Sequence, residues 1–174
     1  MAATAAVEEL NGAPTGTPAT VTNVRFCTTD DDDPVATYPI PIPDAAQNYS
    51  YWKSLRLKFT GTYTQVTNVN IYSDGTGFGT GITVYIGDET GVTYEQATGT
   101  PGTTGDELVA THTGITAETD LFSFTSGSQM TVDATTISGD PGYAKEVVLQ
   151  MKVESTATAG TLAAETITWQ YDEI

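Results

Sequence analysis

Apolar and polar positions alternate in short runs from residue 21 onward, and turn-forming residues separate the runs. This is the two-residue period of half-buried strands, at the spacing of all-β sandwiches and barrels. Within 51–60, Leu55, Leu57 and Phe59 share one face with Lys53, while Trp52, Ser54, Arg56 and Lys58 take the other. Val69 and Ile71 mark a second strand, and Ile82, Val84 and Ile86 a third, with the glycine-rich loop 74–81 between them reading as a hairpin turn. Phe122 and Phe124, Met130 and Val132, then Val147, Leu149, Met151 and Val153, and finally Ile167, Trp169 and Tyr171 continue the pattern. With Val24 and Phe26 near the start this predicts about eight strands and no amphipathic helix. Strands with one apolar face must bury those faces against each other. The expected fold is therefore all-β: an antiparallel two-sheet β-sandwich, jelly-roll or immunoglobulin-like.

The first twenty residues break the pattern with small residues and turn formers, and at most one helical turn fits around Ala5 to Leu10. They read as an extended N-terminal arm (1–20) ahead of a single sandwich domain (21–174), held by a partner chain through Val7 and Leu10. Two further segments stand out: an acidic, proline-rich connector at 30–44 and a Thr/Gly-rich loop at 95–107 that is expected to project. The tetrapeptide VTNV at 21–24 and 66–69 suggests no more than chance repetition in so narrow a composition.

Composition sharpens the fold and narrows the function. Thr accounts for 34 of the 174 residues, and Val, Ile, Phe, Tyr, Trp and Thr together for 72, a strong bias toward extended backbone. The net charge of −16 arises from 22 acidic residues against only 6 Lys and Arg. Acid is at an ordinary level and base is missing, which disfavours nucleic acid and anionic membranes, since both are bound through Lys and Arg. No apolar run approaches the length of a membrane span, and no basic segment with an apolar run opens the sequence, so export by a standard signal is not expected. The single cysteine, Cys27, excludes an internal disulfide framework.

Candidate chemistry is sparse. DGTGFGTG at 74–81 lacks the glycine spacing of a dinucleotide fingerprint and the lysine of a phosphate loop. Asp30, Asp31, Asp32, Asp33 and Asp74 are weak calcium candidates, since their spacing is not that of a calcium loop. His112 and Cys27 read as a turn residue and a small buried residue, and neither sits in a nucleophile motif. No catalytic residue, metal or cofactor is therefore assigned. The aromatic cluster Tyr49, Tyr51 and Trp52 is a candidate surface for a sugar or a protein. Lys53, Arg56 and Lys58, half of all the basic residues, form a candidate docking edge toward an acidic partner.

The segments NYSYWKSLRL (48–57), YSDGTGFGTGITVYIGD (72–88), HTGITAETDLFSFTSG (112–127), VVLQMKV (147–153) and ETITWQYDEI (165–174) resemble small virion structural proteins of tailed viruses of bacteria and archaea. The similarity spans residues 38–174. It implies a non-enzymatic, β-rich capsid protein, most simply a decoration or cement protein on the outer face of the major capsid protein shell, assembled in the host cytoplasm. A neck, tail or baseplate position and a carbohydrate-binding sandwich are the alternatives. The implied partners are the major capsid protein and further copies of the chain, as dimers or trimers.

Overall fold

A computed structural model describes residues 2–12, 15–32, 38–87 and 91–174. Thirteen strands follow one another along these residues: β1 (Thr4–Asn11), β2 (Thr17–Val21), β3 (Gln47–Tyr49), β4 (Lys53–Thr60), β5 (Val66–Ser73), β6 (Ile82–Gly87), β7 (Gly99–Thr100), β8 (Thr104–Gly105), β9 (Glu118–Asp120), β10 (Met130–Asp133), β11 (Gly142–Tyr143), β12 (Val147–Glu154) and β13 (Ile167–Glu173). The larger sheet runs in the order β2, β1, β4, β12, β6, β9, with β11 added to β4 and β3 to β12. The smaller is β10, β5, β13, and β7 with β8 forms a separate two-stranded ribbon. Every pairing is antiparallel. Helix is confined to one short turn, α1 (Leu108–Thr111), and a 3-10 turn at Leu121–Ser123.

The register follows from the alternation. Directly opposed residues share a face, so Leu55 opposite Val147 and Leu57 opposite Val7 line up one apolar surface of the large sheet. That surface meets Val69 and Ile71 of β5 and Met130 and Val132 of β10 in one buried core. Phe59, fully buried, packs edge-on against Tyr171 of β13, with ring centroids 4.9 Å apart, and so joins the two sheets directly.

The opposite face of the large sheet is also covered, which alternation alone does not predict. Trp52 and Val148 of that face pack with Ala97, Leu108 and Ile115 into a second buried cluster beneath the segment that carries α1. Gln150, fully buried, pins this layer down. Its Oε1 accepts from the Leu108 N–H at 2.8 Å, and its Nε2 donates to the carbonyls of Ser50 and Asp106, each at 2.8 Å.

Several sequence expectations are corrected. The segment expected to be an arm is β1 and β2, a hairpin built into the sheet, with β1 lying between β2 and β4. Leu10 is buried, and Ala5 to Leu10 is strand, not a helical turn. Loop 74–81 is no hairpin: it carries the chain from β5 in one sheet to β6 in the other. Its last residue, Gly81, has φ +75° and comes so close to the 154–157 turn that a Cβ would stand 2.5 Å from Ala157 N. Phe122 and Phe124 lie in and after the 3-10 turn, and Val24 and Phe26 lie outside any strand, although all four still pack against the core. The 95–107 loop lies down on the domain instead of projecting, with Ala97 and Gly105 buried. Of the acidic connector, residues 33–37 are outside the described residues. The Thr28 N–H donates to the Tyr38 carbonyl at 3.0 Å, and Ile40 and Ile42 pack against the core.

Candidate functional site

The aromatic cluster is not a surface. Tyr49, Tyr51 and Trp52 are all buried, and each holds part of the 95–107 loop. The Trp52 indole N–H donates to the Glu95 carbonyl at 3.0 Å, the Tyr49 hydroxyl donates to Glu107 Oε1 at 2.6 Å, and the Tyr51 ring lies where Gly99 comes closest. Burial and the Glu107 carboxylate push the Tyr49 hydroxyl up to about 12. These rings are unavailable for stacking on a sugar.

The basic row is likewise consumed inside the molecule. Because β1 pairs with β4, Glu8 lies opposite Arg56 and Glu9 opposite Leu55. Arg56 Nη2 and Nε contact Glu8 Oε2 at 2.8 and 3.1 Å, Lys58 Nζ lies 3.1 Å from Glu8 Oε1, and the Arg56 guanidinium also stacks on Tyr143 at 4.3 Å. Burial alone would lift the Glu8 carboxyl, but its contacts with Arg56 and Lys58 hold it below the ordinary range. Lys53, fully buried on the core-side face of β4, bonds Glu9 Oε1 at 2.8 Å and the Asp31 carbonyl at 2.5 Å. The acidic partner expected for this edge is therefore the chain's own Glu8 and Glu9.

The calcium candidates are taken up in the same way. Asp30 Oδ2 accepts from the Gly12 N–H and from Gln96 Nε2, each at 2.9 Å, and Asp74 Oδ1 accepts from the Thr76 N–H at 2.8 Å within its own turn. Asp33 lies outside the described residues. Among those described, no three of His, Cys, Asp and Glu converge so as to hold a metal ion. Cys27 is buried, and burial pushes its thiol above the ordinary range.

His112 is buried against Trp52 with ring centroids 5.7 Å apart, and its Nδ1 accepts from the Gly114 N–H at 3.1 Å. That bond requires the proton to sit on Nε2, the neutral form, and burial lowers the pKa accordingly. A histidine with a depressed folded pKa contributes stability that is complete above about 6.5, its unfolded value, and is lost as pH falls through the folded value. Glu9, Glu118 and Glu146, raised by burial, act in the opposite sense. Glu8 and the Glu95 carboxyl beside His112, both held below the ordinary range, act in the histidine's sense; the wild-type profile sums all of these, and His112→Gln isolates the histidine's share. We expect unfolding midpoints measured from pH 7 to pH 5 to decline less steeply in the variant; parallel curves would show that His112 does not titrate with folding.

What the fold leaves open is an apolar cleft of about 590 Å³ between the sheets. Three strands face a wider sheet, so part of the large sheet's core-side surface, at Leu55, Val84 and Met151, is not covered by the smaller one. Segments 21–26 and 161–165 flank the opening, Phe26, Phe78 and Phe122 line it, and Ile167 and Trp169 of β13 form one wall. Strand β13 is an end strand, and its residues are at most half-buried. A second hollow of about 390 Å³ shares Phe26, Met151 and Leu162 with the first, so the two form one apolar groove. Of the eight partner-binding candidates, Val7 alone lines the groove. Phe26, Leu162, Ile167 and Trp169 were not among them, because the alternation that marks a core residue reads the same whether or not the opposite sheet extends over it.

No helix among the described residues is long and apolar enough to cross a membrane. Comparison with family models, with curated proteins and with solved structures gave no match.

Proposed function

We propose that this chain is a non-enzymatic structural protein of virions, a decoration protein that binds the outer face of a major capsid protein shell and stabilises it. The open apolar groove beside β13 is the observation that carries this reading. Such a surface suits a protein partner, because exposed apolar area is otherwise a liability. The occupant is an apolar projection of the shell protein entering between Phe26, Leu162 and Trp169, with further copies of this chain around a symmetry axis. The resemblance to small virion proteins expected from the strand and turn segments of the sequence points the same way. So does the charge: with Lys53, Arg56, Lys58 and Lys152 paired to the chain's own carboxylates and 22 acids set against 6 bases, the surface is acidic and repels nucleic acid.

Co-sedimentation of the purified chain with shells lacking it tests the proposal. Saturable binding in high copy number is expected, and Leu162→Glu, at the rim of the groove, is expected to weaken it at least tenfold. Binding unchanged by Leu162→Glu would remove the groove from the account, and no binding would overturn the decoration role. A few copies per particle would point instead to the neck, tail or baseplate.

A further inference from the structure

Three side chains of complementary reactivity are sealed together where β1 and β4 meet the 25–32 loop. Leu10 lies opposite Ser54 and Glu9 opposite Leu55, which sets Asn11 beside Lys53 across the strand pair, with Glu9 two residues away on the same face. Lys53 and Glu9 are 0% exposed and Asn11 is 8% exposed. Lys53 Nζ stands 2.8 Å from Glu9 Oε1. The Asn11 side-chain nitrogen donates to that same oxygen at 3.2 Å, and to Asp30 Oδ1 at 3.2 Å. One carboxylate oxygen thus holds both an amine and a carboxamide in a site closed to water, while Glu9 Oε2 has no partner. Burial also raises the Glu9 carboxyl, so it is fitted to hold a proton in transit.

We propose that Lys53 and Asn11 join covalently, the lysine amine displacing the asparagine side-chain amide with Glu9 carrying the protons, so that an isopeptide bond ties β1 to β4. Glu9 first takes a proton from the Lys53 ammonium. The free amine attacks Asn11 Cγ, forming the new C–N bond and a tetrahedral carbon. Glu9 then moves a proton from Nζ to the departing Nδ2, the old C–N bond breaks, and ammonia leaves as ammonium. Atoms and charge balance, nothing is oxidised or reduced, and no co-reactant enters. Burial favours the step because the proton passes directly across a 2.8 Å contact between groups held in place, with little water to compete. The competing reaction at an Asn-Gly pair is attack by the glycine nitrogen on the same carbon; here the Gly12 N–H is bonded to Asp30 Oδ2 at 2.9 Å. A chain with one cysteine gains in this way the loop closure that a disulfide gives other proteins.

Mass spectrometry of the full chain, purified and left folded, decides the matter. The expected mass lies below the sequence mass by about 17 Da, that of ammonia. Trypsin is expected to release a branched peptide joining residues 1–25 to 26–56, uncut at Lys53, while Glu9→Gln and Asn11→Ala restore separate peptides of full mass. The wild-type measurement does not depend on the variants folding. Separate full-mass peptides from wild type after prolonged incubation would overturn the proposal. So would a loss confined to the linear 1–25 peptide that mild base turns into a gain of about 1 Da, since water opens a cyclic imide at Asn11–Gly12 to the aspartyl forms.

Discussion

Gln150→Leu is expected to lower the free energy of unfolding by about 3–5 kcal/mol, although leucine fits the space. The side chain makes three hydrogen bonds to main-chain groups: the Leu108 N–H and the Ser50 carbonyl, in buried bonds with no water to turn to, and the Asp106 carbonyl, in a part-buried one. Each buried group stripped of its partner costs about 1–3 kcal/mol, with carbonyls toward the lower end. The loss should be local before it is global. Leu108, Ala97 and Ile115 cover Trp52 and Val148, and Gln150 is what fastens that layer to the large sheet. Hydrogen exchange at the Leu108 amide should accelerate by more than tenfold, while β4 and β12 amides change only with global stability. A variant within about 1 kcal/mol of wild type would show that the packing of the layer, and not this pin, holds it in place.

Phe59→Ala should cost about 3–5 kcal/mol, the usual range for emptying a buried phenylalanine site. The ring is 0% exposed, stacks edge-on with Tyr171 and Tyr63, and is the point at which β4 touches β13 across the core. Phe59→Leu, which keeps most of the volume, should cost less than about 1.5 kcal/mol. Urea titration should give a lower midpoint at unchanged slope for both variants. A small effect from Phe59→Ala would mean that the sheets close over the gap. A reduced slope would mean that the sandwich no longer unfolds as one unit. Against a typical total of about 5–15 kcal/mol, either alanine or leucine variant with the larger cost leaves a marginal protein.

The strands that form the core were legible from one apolar face: Leu55, Leu57 and Phe59 alternate with polar residues, as do Leu149, Met151 and Val153, while Val148 breaks the pattern because its own face is buried as well. What was not legible was which features answer one another. Glu8 and Glu9 in the first strand are the counter-charges of Arg56, Lys58 and Lys53, yet sequence distance hides a register that only strand pairing creates. Tyr49, Tyr51 and Trp52 looked exposed, and the 95–107 loop looked projecting, because each lacked the partner that the other supplies. Short runs also misled: Ala5 to Leu10 reads as at most a helical turn, because VEEL at 7–10 puts an acid on each face of a strand, and Glu9 is tolerated inside with Lys53 as its partner. The groove is the converse case, since Trp169 and Ile167 have a core pattern and the smaller sheet simply stops short.

The order of strands in the large sheet also governs when the molecule can exist. Leu10 pairs with Ser54, and Leu55 and Ser54 pair with Val147 and Val148, so the middle of that sheet joins the first third of the chain to the last. During synthesis β2, β1 and β4 are complete by residue 60, but β4 has no neighbour on its other side until β11 and β12 leave the ribosome, and the smaller sheet waits longer still for β13. Such distant pairings place folding among the slow cases, on a scale of about milliseconds to seconds. The centre of the large sheet is therefore completed late, and a ribosome that stalls before residue 147 leaves β4 without β12 and the core open.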